Sequence, residues 1–263
     1  MLIDTHCHLD AHEFSEDRDA VVQAALKAQV SKILIPSVAS SNFAMVRQCC
    51  SRYPSCLPAY GIHPLYVDQA SEHELVSTRE WVLSELSGAF PPVAVGEIGL
   101  DFFVPDIDPA RQEHYFIEQL KIAREVELPV LLHIRRAIDQ VLKCLRRIPV
   151  RGGIAHAFNG SRQQANEFIK LGFKLGFGGA MTYPRATRIR QLATTLPLES
   201  IVLETDAPDI PPTWLTGVPT PRNSPQQLLP IAQTLAELRS LNVAQIIETT
   251  GANAHAVIQG LDR

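Results

Sequence analysis

Apolar residues in this chain gather into short, dense runs with little polar alternation inside them. Eight runs rich in β-branched and other apolar side chains stand out: Leu2–His6, Lys32–Val38, Cys56–His63, Val93–Gly99, Pro129–Ile134, Gly152–Ala157, Phe173–Gly178 and Ser200–Glu204. A strand with one wet face alternates apolar and polar positions, whereas a strand covered on both faces does not. The runs therefore predict strands of a parallel sheet. Between them the spacing becomes helical. Ser15–Gln29 carries Val21, Val22, Ala25 and Leu26 at helical intervals. Ser71-Glu72-His73-Glu74 has the capping-box pattern ahead of Leu75–Leu86. Asp108-Pro109 sets a cap residue before proline and opens the stretch Ala110–Glu127. Ser161-Arg162-Gln163-Gln164 and Ser224-Pro225-Gln226-Gln227 repeat the capping signal. Eight strands alternating with helices over 263 residues predict an α/β fold, a single TIM-like (β/α)8 barrel domain spanning 1–263. A doubly wound open sheet is the competitor, but no Gly-x-Gly-x-x-Gly follows the first run. Gly88–Pro92 reads as a short turn. Asp206–Pro225 holds Pro208, Pro211, Pro212, Pro219, Pro221, Pro225 and Trp214, and reads as a stiff loop over the barrel mouth.

Composition narrows the class. Hydrophobic residues make up 46% and charged residues 20%, enough for a large core. A net charge of -4 argues against a broad basic surface that coats long nucleic acid, though not against a site that grips a few phosphates. The five cysteines (Cys7, Cys49, Cys50, Cys56 and Cys144) are odd in number and form no Cys-x-x-Cys. That argues against a disulfide framework or a cysteine zinc site. No charged leader, long apolar span or lipidation signal is visible, so a cytoplasmic protein is expected, with no membrane association and no obligate protein partner.

The chemistry lies at the ends of the runs. In such barrels the working site sits at the carboxyl ends of the strands. His6 and His8 are two apart, a spacing that turns both imidazoles the same way. Glu97, His133, His156 and Asp206 each follow an apolar run. Strand 7 ends in Gly178-Gly179, which leaves room and supplies no ligand. A solvated strand end, a core histidine or an Asx turn before Pro208 could explain any one of these residues; their recurrence at strand ends points to metal. Six imidazole and carboxylate side chains exceed the need of one tetrahedral zinc and suit two divalent ions. Glu97 is the expected bridge, with His6, His8 and Asp206 on one ion and His133 with His156 on the other. The donor set accepts zinc, manganese, cobalt or nickel, and magnesium less readily. Asp206 and Glu97 are the expected catalytic pair, with Asp206 taking a proton from the attacking water. His63, before Pro64, is a candidate phosphate contact. His12, His73, His114 and His255 read as ordinary surface residues.

Six ordered motifs carry a resemblance: Asp4-Thr-His6-Cys-His8-Leu9, Gly61-Ile-His63-Pro64, Gly96-Glu97-Ile-Gly99-Leu-Asp101, Leu132-His133-Ile-Arg135, His156-Ala-Phe158-Asn-Gly160 and Leu203-Glu204-Thr205-Asp206-Ala-Pro208. Together they resemble the TatD family of metal-dependent deoxyribonucleases, from Leu2 to about Asn253. The resemblance implies a barrel of the metallo-dependent hydrolase type, two divalent metals and hydrolysis of phosphodiester ends, with DNA 3′ ends as the suggested substrate. It also implies substrate contacts at His63, Arg135, Tyr183, Arg222 and Asn223. The loop between Asp101 and Asp108 lacks the tyrosine common in the DNase-like members, which leaves the substrate open. One alternative is an amidohydrolase-like enzyme cleaving an ester or C–N bond of a small metabolite or of aminoacyl-RNA, although no lysine lies near Glu97 to serve as that class's modified bridge. The other is a metal-bound scaffold without catalysis.

Overall fold

The structure, a computed structural model, describes residues 1–217 and 221–261; Pro219 of the proline-rich loop lies outside the described residues. Eight strands form one sheet in sequence order: β1 (Leu2–Asp4), β2 (Val30–Pro36), β3 (Cys56–Tyr60), β4 (Ala94–Asp101), β5 (Val130–Arg135), β6 (Gly153–Ala155), β7 (Phe173–Phe177) and β8 (Ile201–Leu203). Every neighbouring pair is parallel. The sheet curls until its edges meet. Thr5 N–H donates to Leu203 O at 3.1 Å, and Asp206 N–H to His6 O at 2.8 Å. The buried Asp4 carboxylate stitches the same seam, accepting from the Thr205 N–H at 2.9 Å and the Thr205 hydroxyl at 2.6 Å. This is the expected (β/α)8 barrel.

Helices α1 (Arg18–Lys27), α2 (Phe43–Arg52), α3 (Glu72–Leu86), α4 (Pro109–Glu125), α5 (Ile138–Arg147), α6 (Arg162–Lys170), α7 (Thr187–Thr195), α8 (Leu228–Arg239) and α9 (Val243–Val257) follow. Three of the four sequence caps form. Ser71 N–H donates to Glu74 Oε2 at 2.6 Å, Asp108 accepts from Ala110 N–H at 2.9 Å, and Ser161 Oγ accepts from Gln164 N–H at 3.1 Å. The fourth does not close as a box. Gln227 Oε1 is taken by the Trp214 indole N–H at 2.8 Å, and Ser224 N–H goes to Asn223 Oδ1 at 2.9 Å. Ser224 therefore opens a short 3-10 turn, Pro225–Gln227, before α8.

The main core lies between sheet and helices, where Phe14, Phe116 and Phe168 are fully buried. A second cluster fills the barrel: Ile3, Leu34, Ala59, Ala94, Leu131, Ile154 and Val202 meet Ala254, Val257 and Ile258. α9 and the turn after it thus seal the amino-terminal end, leaving the opposite mouth for the site. Several strands stop short of their apolar runs at that mouth: β1 ends at Asp4 rather than His6, and β3 at Tyr60 rather than His63. There the backbone leaves the ladder to aim polar side chains; Glu97 N–H, for instance, donates to Ser37 O at 2.9 Å.

β4 is irregular. Its register against β5 shifts between Val95 and Ile98. Strict alternation would turn Glu97 to the same face as Val95, toward the helices. The extra residue changes the parity, so Glu97 points inward while Ile98 packs in the outer core. Gly99 then pairs with His133 at φ 149. A Cβ there would sit 1.9 Å from the His133 carbonyl oxygen.

Candidate metal centre

The side chains aimed into the mouth converge on Glu97. Its two oxygens face different partners. Oε2 lies 3.1 Å from His6 Nε2 and 3.4 Å from His8 Nε2. Oε1 lies 3.1 Å from His133 Nδ1, 3.6 Å from His63 Nε2 and 3.9 Å from His156 Nε2. Asp206 Oδ1 completes the first group, 3.7 Å from Nε2 of both His6 and His8. His156 Nε2 stands at the join between the groups, 4.0 Å from Asp206 Oδ1. The six expected ligands and His63 thus meet in one cup. His6, Glu97 and His63 are buried, and Asp206 and His133 keep a narrow opening to solvent.

Two acids outside the expected ligand set orient the imidazoles. His133 Nε2 lies 3.0 Å from Asp101 Oδ2, which leaves Nδ1 free toward Glu97. His156 Nδ1 lies 3.2 Å from Glu204 Oε1, which leaves Nε2 toward the cup. A carboxylate behind a histidine selects its tautomer and raises its basicity. Glu204 is held by the Ala157 N–H at 2.6 Å. Its carboxylate fills space that β7 leaves open at Gly176, where a Cβ would meet Glu204 Oε2 at 2.1 Å; just past the strand, a Cβ on Gly178 would meet the Glu204 backbone oxygen at 2.7 Å. The room expected at Gly178-Gly179 is taken by backbone, that of Glu204 at Gly178 and that of Ile210 to Pro212 at Gly179, while the acid itself lies against Gly176. A spacing signal existed for Glu204, two residues before Asp206 and so on the same side of an extended strand.

The remaining candidates stand differently. Arg222 forms a two-pronged ion pair with Asp17, 2.9 and 2.6 Å, and lies over Phe14. The Asn223 amide donates to the carbonyls of Thr205, Asp209 and Ile210 and holds the proline-rich loop. Tyr183 donates to Pro211 O at 2.8 Å. These three brace the loop against its neighbours and are not joined to the cup by any of these bonds. Arg135 is exposed at the rim. His12, His73 and His114 are exposed, as expected, and His255 is half-buried.

Charge in the cup is tightly coupled. Burial alone would lower the pKa of every imidazole. At His6 and His63 burial prevails, pushing His63 down to about 3. At His8 it is overcome by Glu97, Asp206 and Asp10, and the group rises to about 9. At His156 it is overcome by Asp206, Glu204 and Glu97, and the group rises to about 10. Burial opposes ionisation of Glu97, yet the surrounding histidines hold its pKa well below the usual range. The metal-free cup is therefore an anionic pocket that collects protons. Cation loading must expel them. We expect metal affinity to rise with pH up to about 9–10, with about one to two protons released on loading. Titration calorimetry in buffers of different ionisation enthalpy measures this; a heat independent of buffer contradicts it. The linkage for the metal-free fold has the opposite sense. Both pKa values lie above the unfolded value of 6.5, so their stabilisation is full below that pH and fades as pH climbs through about 9 and 10.

A parallel (β/α)8 barrel with imidazoles and carboxylates converging at its carboxyl mouth defines a class, the metal-dependent hydrolases. Within that class, the chain belongs to the TatD family: the family model described as TatD related DNase matches residues 3–259. The chain is 40% identical over 256 residues to YjjV of Escherichia coli K12, described as an uncharacterized metal-dependent hydrolase, covering 97% of this chain and 96% of that protein. It is 32% identical over 258 residues to TatD of the same organism, described as a 3'-5' ssDNA/RNA exonuclease, covering 96% of each. The crystal structure of Escherichia coli YjjV matches with a TM-score of 0.91 at 39% identity, covering 98% of this chain and 97% of that one.

Proposed function

We propose that the protein is a divalent-metal-dependent phosphodiesterase that shortens single-stranded nucleic acid, DNA in particular, from the 3′ end. The observation that carries the two-ion hydrolase reading is the two-sided use of Glu97, whose oxygens face separate donor groups, as a bridging carboxylate would; the strand and its polarity are supported by the likeness to TatD. The donors fit a metal. Ligands held at about 2.0–2.1 Å in a tetrahedron lie about 3.3–3.4 Å apart. Five edges among His6, His8, Glu97 and Asp206 run from 3.1 to 3.7 Å, and the compact donor triads, with all atoms within 4.8 Å of one another, are His6–His8–Glu97, His6–His156–Asp206 and His63–Glu97–His133. These four would hold one ion; Glu97, His133 and His156 would hold the second. The mixed imidazole–carboxylate set leaves the identity among zinc, manganese, cobalt, nickel and magnesium. Bound divalent ions would supply an activated water near neutral pH and neutralise charge developing on a phosphoryl oxygen.

The protein groups divide the remaining work. Asp206, at the open side of the cup, orients the water and takes its proton. Asp101 and Glu204 keep the ligating nitrogens of His133 and His156 facing inward. His63 has a separate role. Its Nδ1 accepts the Leu65 N–H at 3.1 Å, so the neutral ring carries its proton on Nε2. That nitrogen can donate to a phosphate oxygen and has no lone pair for a metal.

The deciding assay combines the purified chain with each of the five metals and end-labelled single-stranded DNA, duplex DNA, RNA, aminoacyl-RNA and acyl esters. We expect stepwise loss of nucleotides from the 3′ end of single-stranded DNA, faster than from duplex. Turnover confined to acyl esters would replace this reading with the amidohydrolase-like one, and a metal-loaded protein inert on the whole panel would leave a scaffold.

A further inference from the structure

Phe103 leaves the mouth end of β4 and remains 42% exposed. Its ring carries two cations. The Arg135 guanidinium carbon lies 3.6 Å from the ring centroid, and that of Arg136 lies 4.5 Å away. Consecutive residues of a strand point to opposite faces. Here the chain turns at the end of β5, where Arg136 has a φ of 56, and both guanidinium groups reach the same ring. The left-handed backbone at a non-glycine residue is sparsely populated and marks a position the surroundings enforce.

The ring itself is held from the metal cup. Asp101 Oδ1 accepts the N–H groups of Phe103 at 2.8 Å and Val104 at 3.2 Å, while Oδ2 lies 3.0 Å from His133 Nε2. Phe102 N–H donates to Arg135 O at 2.8 Å. One carboxylate thus positions a candidate metal ligand and the aromatic platform together. Some arginines of the chain are paired with acids: Arg52 with Asp19, Arg79 with Glu125, Arg146 with Glu167, Arg222 with Asp17. Among the described residues, Arg135 and Arg136 are exposed without an acid partner, as are Arg124, Arg147, Arg151 and Arg162, and what distinguishes them is that both lie on one ring at the mouth. A guanidinium stacked on a ring keeps its in-plane N–H groups, the fork that binds phosphate, directed away from the ring face.

We propose that Phe103, Arg135 and Arg136 form a phosphate subsite that grips the nucleic-acid strand beyond the bond being cut. The inference rests on the phosphodiesterase reading and adds to it how the mouth takes a polymer in preference to a lone ester. Its test needs no turnover. A short fluorescein-labelled oligothymidylate is titrated with chelator-treated protein across a potassium chloride series, with binding followed by fluorescence anisotropy. Arg135→Gln with Arg136→Gln should weaken binding about 10- to 100-fold and flatten the salt slope by about 1.4, two contacts at about 0.7 each. Phe103→Leu should weaken binding with both arginines still present, and Phe103→Tyr should restore it. Thermal melts and metal content of the variants check the fold. An unchanged affinity and slope in the double arginine variant overturns the subsite, as does a wild-type protein that does not bind the strand. Arginine-dependent binding by an enzyme that cleaves only acyl esters would support the subsite and remove the phosphodiesterase reading. Strand cleavage with an unchanged KM in the double variant would do the reverse.

Discussion

Glu97→Ala should leave a folded protein that holds little metal and turns over no substrate. The expectation follows from where its oxygens point. One faces His6 and His8, the other His133, His63 and His156, so a single truncation strips both halves of the cup. Removing one member of a buried, charged set costs about 3–5 kcal/mol, because the partners stay behind without compensation. The metal-free variant should therefore melt earlier than the metal-free parent while remaining folded at room temperature. Glu97→Gln separates charge from shape: it keeps the side-chain length but loses the carboxylate's second anionic oxygen, so it should retain at most one ion. Elemental analysis after gel filtration, alongside the turnover panel, reads both variants. Wild-type activity in Glu97→Ala would remove the bridge and with it the proposed mechanism.

Gly99→Ala should be the most damaging change among residues that touch no substrate. The position lies at φ 149, where an L side chain is strained, and the added methyl would overlap the His133 carbonyl. The β4–β5 ladder must open to admit it, next to a candidate ligand. We expect a loss of about 3–5 kcal/mol, seen as a drop of about 10 °C in melting temperature, with reduced metal content. Gly217→Ala is the control. That glycine also has positive φ, at 93, but a Cβ there meets nothing within 4 Å. Its cost should be only about 1 kcal/mol, from backbone conformation alone. Equal melting temperatures for the two variants would show that steric closure at the β4–β5 pair has been misread.

Most of the barrel was legible because burial on both faces writes itself as unbroken apolar runs. The cluster around Glu97 was legible because imidazoles and carboxylates stood at the ends of those runs. Roles set by distant partners were not. The family resemblance implied a substrate contact for Arg222 and Asn223; what it did not show is that Arg222 also pairs with Asp17, 205 positions away, and that Asn223 serves three backbone carbonyls. Nothing local predicts those encounters. The inward turn of Glu97 likewise depends on a register shift against β5, and a register belongs to a pair of strands. Asp101 and Glu204 stood within recognised motifs, but only the folded neighbours reveal that each backs a particular histidine. The fourth cap shows local signals competing: Trp214, on the loop, takes the glutamine oxygen that the capping box would have used.

β7 contributes no imidazole and no acid to the cup, and still it shapes the reaction. Its bare Cα atom at Gly176, with that of Gly178 just beyond the strand, is the floor on which Glu204 rests. A methyl group at Gly176 would evict that carboxylate without altering any atom of His156 itself. Searches for further proteins of this design should therefore score a vacancy on the seventh strand as strictly as the donors on or just past β1, β3, β4, β5, β6 and β8.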